Sequence, residues 1–182
     1  MSKGLEAAAS KYGQPLEILC TLESLAFPPV SERTHGEVCM AIRRKNGCFL
    51  LQSKESYPNQ VMRLPSGGIH KDEDLEAALL REIWEETNLD VEVRAFVARI
   101  SYGNSGRVAD FRTNLFVSDE IGGTFQNNDP SEHISRWIEV APADLLHYAA
   151  CLQDIVKSWR HWGRFRAFSL ETLSNHCTEQ KH

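Results

Sequence analysis

Apolar residues recur along the chain with two periods, and the change from one to the other marks out its elements. Val38 to Arg43 and Cys48 to Gln52 read as strands joined by Lys45-Asn46-Gly47, and Asn-Gly is the strongest short signal for a hairpin turn. Val91 to Tyr102 alternates in part and reads as a strand. Gly103 to Gly106 then reads as a turn, and Val108 to Val117 as a further strand with Phe111, Leu115 and Phe116 for packing. Arg136 to Val140 is a short last strand carrying Trp137 and Ile138. Between these groups the period becomes helical. Leu75, Ala78 and Leu79 fall on one stripe at roughly 100° per residue. Leu75 to Glu86 holds no Gly or Pro and is rich in strong helix formers. Asp74 suits the N-cap, and Asn88 suits the left-handed turn that ends a helix. Pro142 opens a second helix at a position that tolerates proline. Leu145, Leu146, Ala149, Leu152 and Val156 give that helix an apolar face.

The remaining stretches are less regular. Met1 to Tyr12 reads as a short helix or a frayed tail, and the period of Pro15 to Phe27 fits strand or helix equally, before Pro28-Pro29 breaks the chain. Residues 1–35 are expected to form an N-terminal extension packed on the domain or on a second subunit. Lys54 to Met62 is polar and irregular. Ser118 to Ser135 is rich in Gly, Asn and Asp, and a structureless stretch of that length more often marks a functional or mobile loop than a packing element. Trp159 to His182 mixes aromatics with Arg and is expected to include a last short helix. Within it Trp159, His161, Trp162, Arg164 and Arg166 read as packing residues with snorkelling charges rather than as a base-stacking patch. Strands on both sides of one helix, with a second helix late, predict an α/β fold in which a mixed sheet lies between helices. The expected domain spans 36–157, with 158–182 as a C-terminal tail packed on it.

One feature of the first helix is costly. Carried onward, the stripe that should face the core becomes Glu82, Glu85 and Glu86, so these carboxylates prolong the buried side. Glu82 and Glu86 stand four apart, where like charges repel, and all lie where the helix dipole already disfavours anions. A hard divalent cation removes the conflict, and clustered carboxylate oxygens suit Mg²⁺, with Mn²⁺ a close substitute.

The residues around this stripe resemble the Nudix box: G, five residues, E, seven residues, R-E-aliphatic, one residue, E-E, one residue, G-aliphatic. Gly67, Glu73, Arg81-Glu82-Ile83, Glu85-Glu86 and Leu89 match it, with Asn88 in place of the last Gly. Leu64-Pro65-Ser66-Gly67-Gly68 is similar to the family's L-P-G-G lead-in, with Ser66 for its first Gly. The resemblance covers about residues 36–157 and is sharp only in the box. It implies a Nudix-type α/β/α sandwich with a mixed β-sheet, and a metal-dependent pyrophosphohydrolase cleaving a nucleoside diphosphate linked to another group. Glu82, Glu85 and Glu86 would be the metal ligands, with Glu82 and Glu86 the surer pair and one of the three acting through water or as the base. Gly67 and Gly68 would let the backbone pass close to metal or phosphate, where a side chain would obstruct. Arg81 would pin the loop to the helix through Glu73. In several members a loop Glu after the box activates water. Glu132 is the candidate here, followed by His133 and Glu120. Arg63 could reach a phosphate or lie on the surface.

Charge and cysteine usage narrow the partners. A net charge of −5 over 182 residues gives no general attraction to nucleic acid or anionic membrane, so a small nucleotide derivative is expected rather than DNA. Cys20, Cys39, Cys48, Cys151 and Cys177 are odd in number and lack metal-type spacing. They read as reduced thiols of a cytoplasmic protein. No apolar run approaches bilayer length. A homodimer remains an open alternative. Two other readings keep the fold: an isopentenyl-diphosphate isomerase-like enzyme, for which Cys39 and Cys48 are the cysteines to test, and a non-hydrolytic nucleotide-sensing or RNA-binding module.

Overall fold

In the computed structural model the described residues are 4–22, 36–58, 61–104 and 107–180. Strands β1 (Leu16–Thr21), β2 (Gly36–Arg43), β3 (Phe49–Lys54), β4 (Ser66–Gly68), β5 (Leu89–Asn104), β6 (Arg107–Gly123) and β7 (Ile134–Val140) accompany helices α1 (Leu5–Tyr12), α2 (Leu75–Thr87), α3 (Leu145–Gln153) and α4 (Arg160–Glu179). The strands form one seven-stranded sheet in the order β1-β5-β6-β2-β3-β7, with β4 paired to β2. β1 runs parallel to β5 and β2 parallel to β6, while the other pairs are antiparallel.

β2 is buried from Gly36 through Ile42, as a strand covered on both faces must be. Its side chains alternate between two cores. Val38, Met40 and Ile42 meet Leu75, Ala78, Leu79 and Ile83 of α2, Ala8 of α1, and the stacked rings of Phe96 and Phe116, 4.3 Å apart. Cys39 and Ala41 meet the other core, with Tyr102, Leu115, Leu145, Leu152, Phe165 and Leu170. The result is the expected α/β/α sandwich. At Gly163 a Cβ would lie 2.0 Å from the Leu152 carbonyl oxygen, so only glycine lets α3 and α4 approach this closely.

Several boundaries differ from the sequence reading, each for a physical reason. The stretch from Ser118 is not loop until Thr124: β6 runs on to Gly123, paired with the start of β5 from Leu89 to Val93. Its polar residues are satisfied across strands, Asp119 by Arg43 and Arg94 at 2.7 Å and Glu120 by Arg44 at 2.6 Å. The ambiguous N-terminal stretch forms β1, while Glu23 to Phe27 and Pro28-Pro29 lie outside the described residues. α1 is tied to α2 where Lys11 and Tyr12 both donate to Glu76, at 2.7 and 2.6 Å. Pro142 opens a 3₁₀ turn, and α3 begins at Leu145 and ends at Gln153. Leu146 and Val156 are therefore exposed rather than on an apolar face. The last helix is not short: α4 has 20 residues and supplies Trp162, Phe165, Leu170 and Leu173 to the core. Ser105-Gly106, in the expected Gly103–Gly106 turn, lies outside the described residues.

Candidate active site

The site is assembled where α2 ends, β4 leads in and the segment after β6 returns. Asp74 caps α2 by accepting from the Glu76 amide at 3.0 Å. Asn88 ends it in the left-handed region, φ 54°, with its amide donating to the Trp84 carbonyl at 2.9 Å. Between these ends Leu75, Ala78, Leu79, Glu82, Ile83 and Glu86 are buried, so the apolar stripe continues as acid at Glu82 and Glu86, while Glu85, expected on the same side, lies at its edge and is only partly buried.

The three carboxylates are treated differently. Glu86 is wholly buried. Among the described residues its side chain is touched by one donor, the Gln52 amide of β3, at long distances of 3.2 and 3.4 Å. Burial pushes its pKa up to about 7, with Glu132 and Glu82 pushing the same way and Arg63 and Lys54 opposing. Glu82 is also raised by burial, opposed by Arg81 and assisted by Glu85 and Glu132. Glu85 is half-buried and turns to Arg81, 2.9 Å away.

Arg81 is the hub of the loop. Its Nε and Nη2 take both Glu73 oxygens at 2.8 and 2.9 Å, and Nη2 also donates to the Gly68 carbonyl at 3.0 Å. Nη1 donates to Glu82 at 2.8 Å as well as to Glu85. Glu73 in turn accepts from the His70 amide at 2.9 Å. The expected Arg81–Glu73 pair is thus one arm of a wider clamp that also spaces two of the acids. Gly67 has a plain steric reason: a Cβ there would sit 1.7 Å from the Glu82 carboxyl carbon. The glycine leaves room for the acid itself.

Beyond β6, the segment 124–129 caps the carbonyl end of α2. The amide of Gln126 donates to Thr87, and those of Asn128 and Asp129 to Glu85, at 2.9, 2.8 and 3.0 Å. The Asn128 side chain reaches Trp84 O at 3.1 Å and Asn88 Oδ1 at 2.9 Å, and Asn88 Nδ2 reaches Thr124 O at 2.9 Å. Asn88 therefore does more than take the turn of a glycine, because its amide holds this segment. The cap delivers the 3₁₀ turn Pro130–Glu132 to the acids. There Glu132 is close enough to raise the pKa of both Glu82 and Glu86, and its carboxylate is held by Lys54 from the end of β3. Lys54 is a site residue that sequence reasoning missed. Nothing local marks it, because its place follows from the pairing of β3 with β7. Of the other base candidates, His133 is exposed beside Glu55, and Glu120 is held by Arg44.

Arg63 is neither on the surface nor extended into solvent. It is 2% exposed, donating to Tyr57 Oη at 2.8 Å, Leu64 O at 2.6 Å and Ser66 Oγ at 3.1 Å. Arg166 departs from the snorkelling expectation. It turns inward to Glu37, 2.9 Å from both oxygens, and to Ser66. Trp162 does pack as expected, 4.6 Å from the Tyr57 ring. None of the five cysteines forms a disulfide. Cys39 is in the core with its pKa pushed up by burial to about 12, and Cys48 lies between β2 and β3.

The donor set fits a hard cation in a limited way. Among the described residues no three acid, His or Cys groups converge tightly enough to hold an ion unaided. Glu86 nevertheless offers buried oxygens that no cationic side chain contacts among the described residues, and Glu82 a buried carboxylate bonded to Arg81 through Oε1. Mg²⁺ commonly binds through one or two carboxylates and keeps several waters for substrate phosphates to replace.

A family model described as the NUDIX domain matches residues 33–159. The RNA pyrophosphohydrolase of Roseobacter denitrificans is 40% identical over 126 residues, a span of 61% of this chain and 72% of that protein. Among solved structures, an Ap4A hydrolase from C. elegans in a binary complex superposes with a TM-score of 0.53 at 20% identity, over 79% of this chain and 98% of the other. A NUDIX hydrolase from Nitrosomonas europaea gives 0.57 at 14% identity, over 80% and 90%. At these identities the structural likeness speaks to the fold.

Proposed function

The chain belongs to the Nudix family and is a Nudix hydrolase, and from that premise we propose that it cleaves the diphosphate linkage of a nucleoside diphosphate derivative by attack of water at phosphorus, with Mg²⁺ or Mn²⁺ at Glu82 and Glu86. The observation that carries this is Glu86: a carboxylate with no exposure, one weak hydrogen-bonding donor among the described residues, and other acids around it. Such a group is tolerable in its charged form when a cation joins it.

In this reading Glu82 and Glu86 would hold the ion, with Glu85, turned to Arg81, the third acid beside them. The ion would neutralise phosphate oxygens and lower the pKa of a bound water. Glu132 accepts the proton of the attacking water as the new phosphorus–oxygen bond forms, and the bridging oxygen departs with the leaving phosphate. Lys54, which holds Glu132, and Arg63, whose field reaches Glu86, supply positive charge next to an anionic substrate. Gly67 keeps the wall beside Glu82 free of a side chain.

The 40% identical relative favours one specific alternative substrate, a pyrophosphate bond carried on RNA. Against extended contact with RNA stands the net charge of −5. A Mg²⁺-supplemented screen tests both. It would cover nucleoside triphosphates, ADP-ribose, nucleotide-sugars, dinucleoside polyphosphates and 5′-triphosphorylated RNA, with the released phosphates identified. Metal-dependent turnover of a free nucleotide derivative is expected. Turnover of the RNA alone would move the assignment to the alternative. Tight nucleotide binding with no turnover would overturn it in favour of a sensor.

A further inference from the structure

We propose that Arg166 of α4 is a positioning residue for hydrolysis, holding the Ser66–Gly67 backbone against the carboxylate of Glu82. The inference rests on the site assignment above. The residues matched by the family model end at 159 and α4 begins at Arg160, so this contribution comes from outside the matched stretch.

The geometry runs in one unbroken line. Nη1 of Arg166 lies 2.9 Å from each Glu37 oxygen and 3.0 Å from Ser66 Oγ. Ser66 Oγ donates to Glu37 Oε2 at 3.0 Å, and Thr113 Oγ1 donates to Glu37 Oε1 at 2.8 Å. Tyr102 Oη donates to Thr113 Oγ1 at 2.9 Å. Glu37, Ser66, Thr113 and Tyr102 are all buried. One peptide bond beyond Ser66 stands Gly67, with no room for a Cβ beside Glu82. The lead-in is fixed by its backbone to β2, where Met40 donates to Pro65 at 2.9 Å. Among the described residues, the side chains hydrogen-bonded to Ser66 Oγ are those of Arg166, Glu37 and Arg63.

Stability alone explains this arrangement poorly. A buried ion pair is commonly no more stabilising than apolar residues of the same volume, and Phe165, Ala167 and Leu170 of the same helix are core residues. What the pair does supply is direction. Nη1 carries two hydrogens, and the two Glu37 oxygens and Ser66 Oγ share them, so the nitrogen that the carboxylate fixes is the one that holds the residue before Gly67. A displacement of about 1 Å at a reacting centre can cost on the order of 100-fold in rate, so a loop pressed against a metal-binding acid has reason to be pinned from behind.

The test uses the full chain with Arg166→Met, Arg166→Lys and Ser66→Ala. Each is assayed for Mg²⁺-dependent turnover per folded molecule and, separately, for Mn²⁺ affinity by paramagnetic resonance without substrate. Arg166→Met is expected to lower kcat about 10- to 100-fold with KM changed by less than about threefold, and to weaken Mn²⁺ binding. Arg166→Lys should recover part of both. Ser66→Ala leaves the Glu37–Arg166 pair in place and removes the bonds of Ser66 Oγ to Arg166, Glu37 and Arg63, while Arg63 keeps its bonds to Tyr57 Oη and Leu64 O. It should move kcat and Mn²⁺ affinity the same way by several-fold, and it decides the matter if Arg166→Met does not fold. Folded variants with kcat and Mn²⁺ affinity within about twofold of wild type would overturn the proposal. Should the wild type turn over no anhydride, the functional assignment fails, and Mn²⁺ affinity in the variants alone then decides the role of Arg166.

Discussion

Glu86 is a carboxylate with no exposure, and its neighbours show how the penalty of burying it is contained. Burial pushes its pKa up to about 7, and Arg63 and Lys54 oppose the rise without contacting it. The identity of this acid was legible from sequence, because the phase of the α2 stripe placed it inward. Gly67 was legible as a residue that must lack a side chain, but the atom it makes way for, in the Glu82 carboxylate, was not. Glu73 gives a prediction at this scale. The forked bond from Arg81, then the His70 amide, holds its carboxyl below the usual range despite partial burial. A carboxyl lowered on folding stabilises the fold above its unfolded pKa and loses that contribution as pH falls through its folded one. Glu73→Gln should therefore cost about 1 kcal/mol near neutrality, after allowance for solvent screening. The two denaturation curves should converge below about pH 4. Urea titrations at a series of pH values check this, and a constant difference down to low pH would contradict it.

Among the elements, α2 and its two caps do most to build the site. The N-terminal cap was readable because Asp74 acts on an amide two residues away. The C-terminal cap was not, because its donors come from Gln126, Asn128 and Asp129. A stretch rich in Asn, Asp and Gly carries the same local signal whether it wanders or caps a helix from a distance. For the same reason β6 was read as ending early: Asp119 and Glu120 look like loop residues until their arginine partners on neighbouring strands are known. Asn128 tests whether the cap serves chemistry. Asn128→Ala removes the bonds to Trp84 O and Asn88 Oδ1 and should cost about 1 kcal/mol of stability. If Glu132 is the base, kcat should also fall about three- to tenfold with little change in KM, since only its placement loosens. Stability loss with an unaltered kcat would remove Glu132 from the reaction.

For the whole molecule, the sheet between helices and the helix after Pro142 were foreshadowed by periodicity, whereas the length of α4 and its reach into the core were not. Its Arg166 looked like a surface charge because its partner, Glu37, lies 129 positions away. No helix among the described residues is long and apolar enough to cross a membrane. A chain with a net charge of −5 that is to act on a phosphate anion must recruit positive charge locally, and in the proposed function that task falls chiefly to an ion at Glu82 and Glu86. The most direct measurement is Mn²⁺ titration and Mg²⁺-dependent turnover of Glu86→Gln beside wild type, both confirmed folded. The variant changes charge but little volume. It should bind Mn²⁺ more weakly and lose turnover on the order of 10²- to 10³-fold. Unchanged Mn²⁺ affinity together with full turnover in that variant would contradict the account.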